Sequence, residues 1–275
     1  MKTRNIFALA ALGLLSLSAC SNDDEDLAWQ GSETIEIDPS IGAMQARVTG
    51  NAFDANDAIS LYGWTGQADA VTPEAMVVNN AKYTFDGAKW STTDGAVWKD
   101  KKSTHFFVGV YPQRAITNLT ADNFTSTGKE DLMIAYNKDG VTHGNAVALD
   151  FKHVLAKLKM TCKFTSEFMT TPVVEKITLK GKHTATVNYL TNAITSAAVE
   201  LSEVESTKSG DAFEAILIPQ EGVVARIYLG KYGIYEYTLD ASAPLESGKI
   251  TTINFTIGKK DETQAASVSR SAWSD

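Results

Sequence analysis

Val154-Leu155-Ala156-Lys157-Leu158-Lys159-Met160-Thr161-Cys162-Lys163-Phe164 is the stretch that decides the fold. Val154, Ala156, Leu158, Met160, Cys162 and Phe164 fall on one face, opposite Lys157, Lys159, Thr161 and Lys163. A period of two sustained over this length describes a β-strand with one face on a core and the other in water. Cys162 belongs to the apolar face, so it reads as a small buried hydrophobe and not as a nucleophile. Upstream, Val147, Leu149 and Phe151 alternate in the same way, as do Ile59 and Leu61, and Ile35 and Ile37. Tyr83 and Phe85 form a short run ended by Asp86-Gly87. Phe106 to Tyr111 is continuously apolar, as expected of a strand covered on both sides, and Pro112 stops it. Downstream the style repeats at Ile177 and Leu179, Phe213 to Ile218, Val224 to Leu229, Tyr235 to Leu239 and Ile250 to Ile257.

Turn signals separate these runs, among them Asp94-Gly95, Asp139-Gly140, Gly181, Gly210, Gly222 and Gly248. Beyond the first residues, no stretch keeps a helical period over three turns. Many short strands at this spacing predict an all-β chain. About a dozen strands exceed one ordinary sandwich, so the expectation is two β-sandwich domains in series, 33–152 and 153–275. The boundary falls near His153, where the long amphipathic strand begins. Residues 112–130, rich in Thr and Asn, read as the longest non-periodic surface segment.

The N-terminus carries a different message. Lys2 and Arg4 precede an apolar run from Ile6 to Leu17, then Leu17-Ser18-Ala19-Cys20 and the acidic Asp23-Asp24-Glu25-Asp26. A basic start, a short apolar core and small residues before a cut site describe a secretory signal, 1–19. The run falls short of the ~20 residues that a membrane-spanning helix needs. Cysteine just after the cut resembles a bacterial lipoprotein signal, in which the thiol of Cys20 receives the lipid. Acyl chains contribute roughly 0.8 kcal/mol per buried methylene, enough when several are present to hold the protein on a membrane. Residues 20–32 then read as an acidic spacer. Cutting before Cys20 leaves 256 residues, 275 less 19, and removal of Lys2 and Arg4 moves the net charge from −8 to −10. That acidity argues against nucleic acid as a partner. With Cys20 lipidated, Cys162 is the one remaining thiol, no intramolecular disulfide forms, and stability rests on packing.

Chemistry is sparse. His105, His143, His153 and His183 have no metal-ligand spacing among themselves or with cysteine. There is no H-E-x-x-H, no phosphate-cradling glycine loop and no G-x-S-x-G elbow, so neither an enzyme nor a cofactor is expected. The acidic cluster lacks the glycine turn and ligand spacing of a calcium loop and reads as solvated acid. Trp64, Trp90 and Trp98 lie beside alternating apolar runs, where core or rim packing competes with stacking on a sugar. Trp29 and Trp273 stand outside the obvious strands and need a surface to cover them.

Taken in order, these segments resemble the fimbrillin family of Bacteroidetes, subunits and anchors of the type V pilus. The resemblance rests on the Cys20 signal with its acidic follow-up, Arg47-Val48-Thr49-Gly50 ahead of Phe53-Asp54-Ala55-Asn56-Asp57-Ala58-Ile59, and Val110-Tyr111-Pro112. It continues through Asp131-Leu132-Met133-Ile134-Ala135, Leu149-Asp150-Phe151-Lys152-His153-Val154-Leu155-Ala156-Lys157 and Ile216-Leu217-Ile218-Pro219-Gln220. Gly248-Lys249-Ile250-Thr251-Thr252-Ile253-Asn254 and Trp273 complete it. It implies two transthyretin-like sandwiches, a lipidated outer-membrane precursor exposed at the cell surface, and processing after an arginine near the first strand, here Arg47. The segment that would leave carries Ile35 and Ile37, and a strand of a neighbouring pilin subunit would take its place. Pro39 and Gly42 interrupt that segment, so the strand is expected to be short or bent. Residues 259–275, with Val268, Ala272 and Trp273 among polar neighbours, are sparse for a strand that fills an apolar trough. That points to a tip or accessory subunit, with an adhesin role toward a host or bacterial surface ligand and a shaft role as the alternatives. The competing expectation is a surface lipoprotein that binds glycans beside a nutrient importer.

Overall fold

The computed structural model describes residues 33–42, 52–196, 201–239, 244–259 and 263–273. Cys20, the Asp23 to Asp26 cluster, Trp29 and Arg47 lie outside them. In chain order the first strands are β1 (Ile37–Ile41), β2 (Ala58–Thr65), β3 (Met76–Phe85), β4 (Trp90–Ser91), β5 (His105–Tyr111), β6 (Asp122–Thr125), β7 (Met133–Val141) and β8 (Val147–His153). Then follow β9 (Ala156–Phe164), β10 (Lys176–Lys182), β11 (Thr184–Asn188), β12 (Ala193–Ser196), β13 (Leu201–Glu205), β14 (Thr207–Ser209) and β15 (Ala212–Leu217). The last are β16 (Val224–Tyr228), β17 (Ile234–Thr238), β18 (Lys249–Ile257) and β19 (Thr263–Ala272). Among the described residues the one helical element is a 3₁₀ turn at Gly230–Tyr232. The fold is all-β.

Four sheets form: β1-β8-β7-β5-β2-β3-β4, β12-β11-β6, β13-β10-β16-β17 and β14-β15-β9-β18-β19. The last two face each other across one core. Leu158 and Met160 of β9, Ala215 of β15, and Ile253, Phe255 and Ile257 of β18 meet Ile177 and Leu179 of β10 and Ala225 and Ile227 of β16. The alternation that predicts β9 is therefore what builds this sandwich. The seven- and three-stranded sheets share a second core, in which Tyr62, Trp64, Val108, Val110 and Ile134 meet Phe124, Ala185 and Val187.

The seven-stranded sheet is covered on its other face as well, which is why β5 is apolar at consecutive positions. Val108 and Val110 point into the core shared with the small sheet. Phe107 points the other way with Ile59, Leu61, Tyr83 and Phe151, all buried. Two glycines let the rings lie across this second face. A Cβ on Gly63 would come within 2.6 Å of Phe107, and one on Gly109 within 2.7 Å of Phe151.

Two features depart from the periodicity. Within the polar segment 112–130, β6 pairs antiparallel with β11, with Phe124 opposite Ala185. The hairpin β11–β12 follows His153 in the chain yet joins β6 rather than either sheet of the C-terminal sandwich. Val154, Leu155 and Ile218 pack with Trp273 in the second core, next in the chain to Ala156 and Leu217 of the first.

Candidate functional site

The N-terminal ribbon, residues 33–42, lies at an open sheet margin. β1 runs parallel to β8, with Ile37 opposite Val147, Pro39 opposite Leu149 and Ile41 opposite Phe151. Partners in register share a sheet face, so Ile37, Pro39 and Ile41 extend the apolar row of β8. The ladder is closed by Val147 N–H donating to Glu36 O and by Gly42 N–H donating to Phe151 O, each at 2.9 Å. Even-numbered residues thus turn their backbone groups toward β8, and the missing N–H of Pro39 points away from it, to a side left without a strand among the described residues. An edge strand tolerates proline in that phase, so the strand continues through Pro39.

Just before β1 the ribbon crosses onto the covered face. Ile35 N–H donates to Ala96 O at 2.9 Å, and Trp98 N–H donates to Glu33 O at 3.2 Å. The Tyr83 hydroxyl donates to Ile35 O at 2.6 Å. Burial pushes the Tyr83 hydroxyl far above the usual phenol range, so it stays protonated and keeps that bond. The Ile35 side chain is 0% exposed. Glu33 closes the crossing with a hydrogen bond to His143, Oε2 to Nε2 at 2.7 Å. Removing the ribbon would strip the edge of β8, orphan the backbone groups of Ala96 and Trp98 and the Tyr83 hydroxyl, and open the space that Ile35 fills. Burying an isoleucine contributes about 1.5–3 kcal/mol, and each orphaned buried polar group costs about 1–3 kcal/mol. A groove of that kind asks for another strand.

The C-terminal ribbon is built differently. β19 pairs antiparallel with β18 from Ile257 opposite Thr263 to Lys249 opposite Ala272, with a bulge near Phe255. Ser267 to Ala272 are exposed. Trp273, just past the strand, is buried.

A family model described as fimbrillin-like matches residues 46–273. The chain belongs to the fimbrillin-like family. This fimbrillin-like chain has no match among curated protein sequences. Its fold is similar to solved structures of two proteins assigned to cell adhesion. The one from Bacteroides ovatus has 20% identity and a TM-score of 0.67, covering 89% of this chain and 99% of that one. The one from Bacteroides uniformis has 19% identity and a TM-score of 0.66, covering 87% and 98%. A fimbrial protein from Bacteroides vulgatus has 11% identity and a TM-score of 0.52, covering 78% and 93%.

The remaining candidates of the fimbrillin-like chain fall in several places. Trp64 is 0% exposed and Trp98 2%. The Trp64 indole donates to Gln67 O at 2.9 Å and packs on Phe106 and Tyr136. Neither indole offers a face to a sugar, which removes two of the three residues on which glycan binding rested. Trp90 is half-buried, stacked on Phe85 and edged by Phe53. His105 and His143 both pack against Trp98. Burial holds the His105 imidazole below its ordinary pKa, and the same cause lowers His183. No group of three or more His, Cys, Asp or Glu able to hold a metal occurs among the described residues. Cys162 is half-buried beside the C-terminal core, and desolvation pushes its thiol up to about 12. At neutral pH it is a packing residue. Sequence reasoning found Ile35 by its alternation with Ile37, but Tyr83, Ala96 and Trp98, which hold the ribbon, carry no signal that ties them to it.

Proposed function

We propose that this fimbrillin-like chain is a structural subunit of a cell-surface pilus, joined to its neighbours by donor-strand exchange at the groove now filled by residues 33–42. In this reading the precursor is lipidated on Cys20, reaches the outer membrane surface, and is cut after Arg47. The ribbon carrying Ile35 and Ile37 then leaves, and a strand from a second pilin subunit pairs with β8. The observation that carries the reading is the placement of Ile35, a side chain with no exposed surface, on a short edge ribbon ending a few residues before Arg47. The fimbrillin-like match, which opens at residue 46, one residue before Arg47, leaves the ribbon outside it and supports the reading.

Two sandwich domains in series, 33–152 and 153–275, complete the proposal, with the hairpin β11–β12 lent back to the first. The position of β19, laddered to its own β18 and lacking buried side chains between Ser267 and Ala272, favours a tip or accessory subunit that accepts a strand and donates none. The test treats purified precursor with an Arg-specific protease and follows mass and size together. The expected outcome is a discrete cut after Arg47, loss of the ribbon, and oligomers that grow with concentration. Ragged degradation or a cut monomer that stays monomeric would overturn it.

A further inference from the structure

We propose that Trp273 is a clasp coupling the C-terminal strand to the junction between the two cores, so that release of one loosens the other. The indole is 7% exposed and lies flat on the His153 imidazole, with ring centroids 4.3 Å apart and planes 4° apart. The Lys157 ammonium stands 5.8 Å from the indole centroid. His153 in turn holds Asp131, Nδ1 to Oδ2 at 2.6 Å, immediately before Leu132 and β7. The backbone follows the same route. Trp273 N–H donates to Gly248 O at 3.0 Å, and Gly248 N–H donates to Leu155 O at 2.8 Å. Gly248 lets the backbone pass close to His153. Its φ is +66°, and a Cβ there would sit 3.1 Å from the His153 carbonyl oxygen.

The consequence follows from what β19 lacks. Between Ser267 and Ala272 every side chain is exposed, so that end of the strand is held by its ladder, by the surface contacts of Arg270 with Glu246 and of Asn254 with Ser267, and by whatever anchors its terminus. An antiparallel edge frays from an unanchored end. Trp273 is that anchor, and its stacking partner is the residue that positions Asp131 at the start of β7. Strand and junction are therefore one cooperative unit with two distant ends. This inference concerns β19 and does not depend on exchange at β1.

Hydrogen exchange on the full chain tests it, with Trp273→Ala, Trp273→Phe and Asp131→Asn. Trp273→Ala is expected to speed exchange roughly tenfold or more in β19, and likewise across Asp131 to Met133, with β2 and β3 unchanged. Trp273→Phe, which still stacks, is expected to stay near the parent in both places. Because coupling is reciprocal, Asp131→Asn is expected to speed exchange in β19 although it touches no residue of that strand. Acceleration confined to β19, uniform acceleration of all strands, or an Asp131→Asn variant whose β19 is unchanged would each overturn the clasp. The last variant decides the matter should Trp273→Ala fail to fold.

Discussion

The two terminal ribbons sit on sheet margins and solve the same problem in opposite ways. The N-terminal one is short and parallel, and is fixed by a plug: Ile35 enters the core while Tyr83, Ala96 and Trp98 bind its backbone. The C-terminal one is long and antiparallel, presents exposed side chains from Ser267 to Ala272, and is pinned at its end by a buried indole beside the surface ion pair of Arg270 with Glu246. A plugged ribbon leaves a shaped, apolar vacancy when it goes; a laddered ribbon leaves chiefly a hydrogen-bonding edge. Only the first kind of vacancy selects its next occupant by side chain as well as by backbone.

Substitutions can break this contrast. The largest effect is expected from Ile35→Ala, which empties a fully enclosed site and should lower unfolding stability by about 3 kcal/mol in urea titration. A loss under about 1 kcal/mol would mean that the ribbon is not a plug. Tyr83→Phe keeps the ring and deletes the bond to Ile35 O; a loss of about 1–2 kcal/mol is expected, with faster exchange at the Ile35 amide. Val268→Ala, at an exposed position of β19, should change stability by less than about 0.5 kcal/mol in the same titration. Pro39→Ala should be equally mild, because the N–H it restores points away from β8. Cys162 sharpens the contrast at the smallest scale. It lies on β9, opposite Phe255 of β18 and two strands in from β19. Its thiol should resist alkylation at pH 8 in the native chain and in Val268→Ala alike, and react on unfolding, as mass spectrometry would report.

How far the sequence speaks depends on which faces are buried. β9 and β8, with one face in water, are legible from alternation, and β5 from its unbroken apolar run between two covered faces. β6 is hidden because Phe124 is the one large apolar side chain in Asp122-Asn123-Phe124-Thr125, and its partner β11 lies far along the chain. Such non-local pairing leaves no mark in a short window. Pro39 suggests a break that the backbone phase of an edge strand makes unnecessary. β19 looks too sparse in apolar side chains to fill a trough, in keeping with the exposure of Ser267 to Ala272. The stack of Trp273 on His153 joins residues from opposite ends of the second half, and only the fold brings them together. At the candidate site, Ile35 and Ile37 could be read from sequence, whereas their crossing onto the Ala96 to Trp98 segment could not.

Donor-strand exchange requires a groove beside β8 that can be emptied and refilled. A synthetic peptide spanning residues 33–42, added to Arg-processed protein, tests it most directly, with a peptide carrying Ile35→Asp as its control. The account expects the native-sequence peptide to bind saturably, restore the exchange protection of β8 and suppress oligomer growth, and the control to do none of these. Assembly that proceeds unchanged under a saturating excess of the native-sequence peptide would contradict it.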